Sequence, residues 1–110
     1  MEFYRYVSSS EMGRIRETRQ IGSRSGVTYF SPDRYDDAQE AYRRLALPRP
    51  PDFRVGPIPD DEMPDFDVVP LMSVGFVDPN RLGGGTEAAT SRPVRLFAAY
   101  DFASRTNTTI

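Results

Sequence analysis

The first apolar-rich stretch, residues 2–7 (Glu-Phe-Tyr-Arg-Tyr-Val), carries aromatic and β-branched residues that predict a strand. Alternation assigns Phe3, Arg5 and Val7 to one face and Tyr4 and Tyr6 to the other. A guanidinium between two apolar neighbours needs a partner if that face is buried. Ser8 followed by Glu11 fits a capping box, which predicts a helix to about Gln20 with Met12, Ile15 and Arg19 along one stripe. Residues 21–26 form a loop by composition, and residues 27–30 a second short strand. Ser31-Pro32-Asp33 then supplies a helix start: Ser at the cap, Pro in the first helical position, an acid in the first turn. Tyr35, Ala38, Ala41, Tyr42 and Leu45 continue at helical spacing until Pro48-Arg49-Pro50-Pro51 stops the run.

Beyond that stop the pattern changes. Residues 53–58 predict an edge strand, followed by an acidic loop and by apolar strand material over residues 68–76. Residues 78–85 are turn-rich and end in three glycines, and residues 86–90 and 94–102 predict two further strands broken at Ser91-Arg92-Pro93. No internal repeat or low-complexity linker divides the chain, and 110 residues allow one core, so residues 1–110 are expected to form a single α+β domain with two helices in its N-terminal half.

Composition narrows the chemistry. With 12% aromatic residues the chain is too rich in large apolar groups for disorder. No apolar run approaches the ~18 residues that cross a bilayer, and the N-terminal residues lack the shape of a signal peptide, so no membrane partner is expected. Cys and His are absent. Disulfides, thiolate nucleophiles, Ser-His-Asp triads and ordinary zinc hydrolase sites are thereby excluded, and acid–base chemistry falls to Asp, Glu, Tyr or Arg. A formal charge of −2 argues against a nucleic-acid partner held by phosphate contacts. All 14 basic residues are Arg. Codon usage in a GC-rich genome accounts for that, as does loss of modifiable lysines in a protein that works inside a foreign cell; the absence of Lys does not decide between them.

Several residues invite a functional reading beside a plainer one. Gly83, Gly85 and Ala88 formally satisfy G-x-G-x-x-A, but no helix pattern follows, so a flexible lead-in to a strand is the better description. Glu87 stands alone among small residues, which leaves room for a ligand; otherwise it solubilises a strand edge. Arg5 is either an anion clamp or a surface Arg with a covered stem. Ser31 caps a helix, and helix N-termini also line ligand sites. Tyr29 and Phe30 are strand aromatics that could also stack on a heterocycle. The acids at Asp60, Asp61, Glu62, Asp65 and Asp67 lack calcium-loop spacing, and no metal site is expected.

In order along the chain stand Tyr4-Arg5-Tyr6-Val7-Ser8, then Thr28-Tyr29-Phe30-Ser31-Pro32-Asp33, then an Ala-rich helix, then Gly83-Gly84-Gly85-Thr86-Glu87. This sequence of features resembles the ADP-ribosyltransferase-like toxin domains of bacterial polymorphic (Rhs-type) toxins, and among them the group that modifies elongation factor Tu. The likeness spans Phe3 to about Val94. It implies a small split β-sheet core and an Arg/Ser/Glu site for NAD as substrate. Arg5 would support the ribose and phosphates, Ser31 would orient dinucleotide and acid, with Thr28 as a second candidate, and Glu87 would be the catalytic carboxylate. Tyr6, Tyr29 and Phe30 would complete the NAD-binding set. The implied protein is a delivered effector of interbacterial competition, acting in the target-cell cytoplasm on a protein acceptor and neutralised by a cognate immunity protein. Arginine-modifying members often carry an acid two residues before the catalytic Glu, where this chain has Gly85; NAD glycohydrolysis is therefore an alternative. A non-catalytic interaction module is another, and a ribonuclease a distant one.

Overall fold

A computed structural model describes residues 2–21, 28–59, 69–75, 83–90, 94–95 and 98–110. The elements run β1 (Glu2–Val7), α1 (Ser9–Thr18), β2 (Gln20–Ile21), β3 (Thr28–Phe30), α2 (Ala38–Arg44), β4 (Phe53–Pro59), β5 (Val69–Ser73), β6 (Thr86–Thr90), β7 (Val94–Arg95), β8 (Ala98–Asp101) and β9 (Thr106–Thr109). Strands pair antiparallel in a sheet of order β1-β4-β8-β9, a sheet of order β3-β6-β5 and a β2-β7 pair. The architecture is α+β.

The alternation of β1 is used on both faces. Phe3 and Val7 join a core with Met12 and Ile15 of α1, Phe30, Val55, Ile58, Ala88, Val94 and Ala99. Tyr4 and Tyr6 join a second cluster around Ala41 of α2, flanked by Tyr35, Leu45, Leu47 and Phe102. Burying large apolar side chains contributes about 1.5–3 kcal/mol each, so β1 is tied into the molecule from two sides by opposite halves of one six-residue pattern.

Strand β4 is an interior strand, paired with both β1 and β8, and not the edge strand its prolines suggest. A Pro in mid-sheet lacks a ladder donor and is tolerated at a bulge. Here Phe3 pairs with Ile58 and Arg5 with Val55, so one residue of β1 faces two of β4, and Gly56-Pro57 forms the bulge. The extra residue keeps Val55 and Ile58 in the same core although three positions separate them. Gly56 has φ +127°, and a Cβ there would stand 2.7 Å from the Phe3 carbonyl oxygen. On the other face of β4 the buried Arg54 guanidinium lies over Tyr4 and Tyr100 and donates to Tyr35 O and Asp36 Oδ1.

Helix α1 begins as expected, with Ser8 Oγ accepting from Glu11 N at 3.2 Å. The box is not closed by the Glu11 side chain, which is drawn elsewhere. The helix ends at Thr18 because Arg19 takes the left-handed conformation at φ 57° and its N–H donates to Ile15 O, which removes Arg19 from the stripe. Helix α2 departs further from expectation. It starts after Asp37, whose carboxylate accepts from Gln39 N at 3.1 Å, and not at Ser31. Ser31 instead forms an antiparallel bridge with Tyr4, and a helix opening at Pro32 would break the turn that carries this segment onward. The expected strand 94–102 is divided between β7, which pairs with β2, and β8, which pairs with β4. Ile21, expected in a loop, pairs with Val94. Strand β9 has no counterpart in the sequence reading because Thr-Asn-Thr-Thr has no apolar alternation. The loop at 22–26, the acidic loop at 60–67 and the turn at 78–82 lie outside the described residues.

Candidate functional site

The four-stranded and three-stranded sheets meet where Tyr4 N–H donates to Ser31 O at 2.7 Å and Ser31 N–H returns to Tyr4 O at 2.8 Å. Beside this junction opens a small cleft with about 60 Å³ of enclosed space, well below the ~300–1,000 Å³ of most small-molecule sites, so a larger ligand would lie partly outside it. Its walls are aromatic and aliphatic (Tyr4, Tyr6, Tyr29, Phe30, Leu45, Leu47), and its polar groups come from Arg5, Ser31 and Glu87. Arg5, Ser31 and Glu87, from three distant segments, therefore line one cavity.

Arg5 is not a free surface cation. Its Nε and Nη2 donate to the two carboxylate oxygens of Glu11 at 2.6 and 3.0 Å, and Nη1 donates to Tyr29 O at 2.9 Å. Glu11 thus answers the demand for a partner, and this ion pair, with 24% and 23% of the side chains exposed, fixes the fork at the cleft. Of the guanidinium's five N–H groups one remains on each terminal nitrogen for a ligand. The signal for Glu11 lay in its position: a strand that ends at Val7 and a helix whose first turn begins two residues on bring Arg5 and Glu11 side by side.

Ser31 is almost fully buried at 2% exposure, and its hydroxyl is committed. Oγ donates to Thr86 O and accepts from Asp33 N at 3.0 Å. Asp33 Oδ2 accepts from Thr86 N at 2.7 Å, so both backbone groups of the residue before Glu87 are held by this short segment. The Ser-x-Asp text that suggests a helix start is a turn that grips a neighbouring strand. The hydroxyl-plus-carboxylate spacing was a visible signal for such a turn.

Glu87 sits on β6 opposite Met72 and is partly buried. Among the described residues no hydrogen bond or ion pair reaches its carboxylate. Burial pushes its carboxyl above the ordinary glutamate value. The folded chain accordingly holds this proton more tightly than the unfolded chain does, so Glu87 costs no stability while protonated in both states. The cost emerges as pH rises through the ordinary value near 4.5 and levels off above the folded-state value. Glu87→Gln removes that cost. Its Tm is expected to exceed the wild-type value at neutral pH, and the difference to close at about pH 4 and below, in a thermal-melt series.

The glycine run is anchored, contrary to the flexible lead-in expected from composition. Gly83 N–H donates to Arg43 O at 2.6 Å, Gly85 N–H to Arg44 O at 2.9 Å and Gly84 N–H to Val74 O at 2.8 Å. The last turn of a helix leaves carbonyls without intrahelical partners, and two of these N–H groups satisfy such carbonyls of α2. Only glycine allows the approach: Gly83 has φ +82°, and a Cβ on it would run into the Gly75 and Val74 carbonyl oxygens. Gly83→Ala is expected to destabilise the fold by about 2 kcal/mol or more, read from the denaturant midpoint.

The remaining candidates separate. Tyr29 is 49% exposed at the cleft, whereas Phe30, which also lines it, is 2% exposed and packs into the core. Tyr6 lines the cleft, and its hydroxyl donates to Asp33 O at 2.8 Å and accepts from Tyr35 N at 2.8 Å. Thr28 is buried at 3% and contributes nothing to the lining. Among the described residues no cluster of His, Cys, Asp and Glu could hold a metal ion, and no helix is long and apolar enough to cross a membrane. Comparison with protein-family models, with curated proteins and with solved structures finds no match.

An aromatic cleft with an unpartnered carboxylate and a pre-oriented guanidinium can bind a ligand that carries both an electron-poor ring and an anionic group. It can also stabilise positive charge that develops near Glu87.

Proposed function

We propose that this protein is a mono-ADP-ribosyltransferase toxin domain that cleaves NAD at the nicotinamide–ribose bond and transfers ADP-ribose to a protein of the target cell. The acceptor class suggested by the resemblance is a translation factor. The observation that carries the reading is the convergence of Arg5, Ser31 and Glu87 on one cleft in a chain with neither His nor Cys. The joining of two sheets at Tyr4 and Ser31 supports the split β-sheet core that the resemblance implies.

The chemistry needs no group that the chain lacks. The pyridinium of NAD leaves with the electron pair of the glycosidic bond and becomes neutral nicotinamide, so no general acid is required. Positive charge grows on the ribose as that bond breaks. Glu87 is the carboxylate that faces this charge, as carboxylates do in glycoside cleavage. Arg5, oriented by Glu11, takes the phosphates through its remaining N–H groups. Ser31 acts through the strand that bears Glu87. The acceptor's nucleophile bonds to the ribose carbon and releases its proton.

A second reading, NAD glycohydrolysis, draws support from Gly85. A Cβ there would stand 2.7 Å from the Tyr35 hydroxyl and 3.1 Å from Arg44 O, so the second acid that arginine-modifying members of the resembled family carry would have to displace the Tyr35 side chain here. Incubation with NAD labelled in its adenylate half, in a bacterial lysate, separates the readings. Label on one protein band supports transfer, free ADP-ribose alone supports hydrolysis, and no nicotinamide release refutes both in favour of an interaction module. As a delivered effector the protein would act in the target-cell cytoplasm and require an immunity partner in the producing cell.

A further inference from the structure

Glu87 owes its place to the residue before it, and Thr86 is gripped from both sides: Ser31 Oγ takes its carbonyl and Asp33 Oδ2 its N–H. We propose that Asp33 is a positioning residue for Glu87, which it serves as a hydrogen-bond acceptor and not as a charge. The inference rests on the reading of Glu87 as the catalytic acid and goes beyond the Arg/Ser/Glu set.

Three observations converge on it. First, Asp33 is itself held: its Oδ2 also accepts from the Tyr35 hydroxyl at 3.3 Å, and its carbonyl accepts from the Tyr6 hydroxyl at 2.8 Å. Burial raises the Tyr35 phenol to about 12 and raises that of Tyr6 as well, so both remain donors throughout the physiological range. Second, the opposite end of the segment is pinned by Gly83 and Gly85 on the end of α2 and by Val74 N–H on Gly85 O, and the contacts at Thr86 act beside the β5 pairing to hold the start of β6. Strand side chains alternate, so a slip of one residue at Thr86 would turn Glu87 out of the cleft. Third, burial is the cause that raises the Glu87 carboxyl, with no contribution from the Asp33 charge.

The test uses D33A, D33N and Y35F in the full chain, with two readouts. One is kcat and KM for nicotinamide release. The other is the titration of the Glu87 carboxyl by carbon NMR on glutamate-labelled protein, with the resonance assigned by its loss in E87Q. Folded D33A is expected to lose about tenfold to a hundredfold in kcat with KM within about threefold, since small misplacements of a reacting group have that effect. Its Glu87 titration moves toward the ordinary glutamate value as the carboxylate gains water. D33N, whose amide oxygen still accepts from Thr86 N–H, stays within about threefold of wild type and leaves the titration in place. Y35F loses severalfold in kcat and shifts the titration in the same direction as D33A; if D33A does not fold, Y35F and D33N carry the decision. The proposal is overturned if D33N is as impaired as D33A, or if folded D33A, or Y35F in its stead, leaves the Glu87 titration unmoved. Should wild type release no nicotinamide, the NAD reading falls, and the titrations alone still judge Asp33.

Discussion

Glu87→Gln is expected to reduce nicotinamide release from NAD by about a hundredfold or more while leaving the fold intact, because a preorganised electrostatic group aimed at developing charge contributes on that scale. The substitution is nearly isosteric and sits at a position where no hydrogen bond or ion pair among the described residues is lost. Structural damage is therefore a poor explanation for lost turnover, and the raised Tm expected at neutral pH makes the point directly. Glutamine still offers an oxygen to a ribose hydroxyl but no negative charge to an oxocarbenium-like centre. KM is expected to change far less than kcat, as for an interaction realised in the transition state. Steady-state nicotinamide release by the two proteins checks this; equal rates would remove Glu87 from the chemistry.

The second large effect separates two adjacent aromatics. Phe30→Ala is expected to destabilise the protein by about 3–5 kcal/mol, the usual loss for truncating a buried Phe. Its ring is 2% exposed and packs in the core that holds Phe3, Met12 and Val55. A domain of this size has about 5–15 kcal/mol in total, so the variant stands near the limit of folding. Tyr29→Ala, half-exposed one residue earlier, is expected to change stability by less than about 1 kcal/mol. If Tyr29 supplies the stacking surface for nicotinamide, that variant raises KM for NAD while its denaturant midpoint barely moves. Urea titration of both variants, with KM for Tyr29→Ala, tests the division of labour; a stable Phe30→Ala would contradict the burial of that ring.

Much of this arrangement was legible beforehand, for physical reasons. β1 is aromatic or β-branched at every position but Glu2 and Arg5, and β6 is a short stretch between glycines and a Ser-Arg-Pro break, so their limits agree with expectation. Arg5, Ser31 and Glu87 stood out because each combines a polar function with small or aromatic neighbours. What escaped was set by contacts distant in sequence. Ser31-Pro32-Asp33 has the local chemistry of a helix start, and only Thr86 on another strand decides that its hydroxyl and carboxylate go elsewhere. Pro57 argued for an edge, and the compensating bulge opposite Tyr4 is a property of two strands together. The glycines suggest a loose lead-in because their freedom is local, whereas their docking on α2 depends on a helix end some forty residues away.

The two hydrogen bonds that clamp Thr86 join residues 53 and 55 positions apart. Closing so long a loop costs chain entropy before the contacts reward it. The cavity therefore exists only where segments from both halves of the chain are folded together, and neither half alone can carry it.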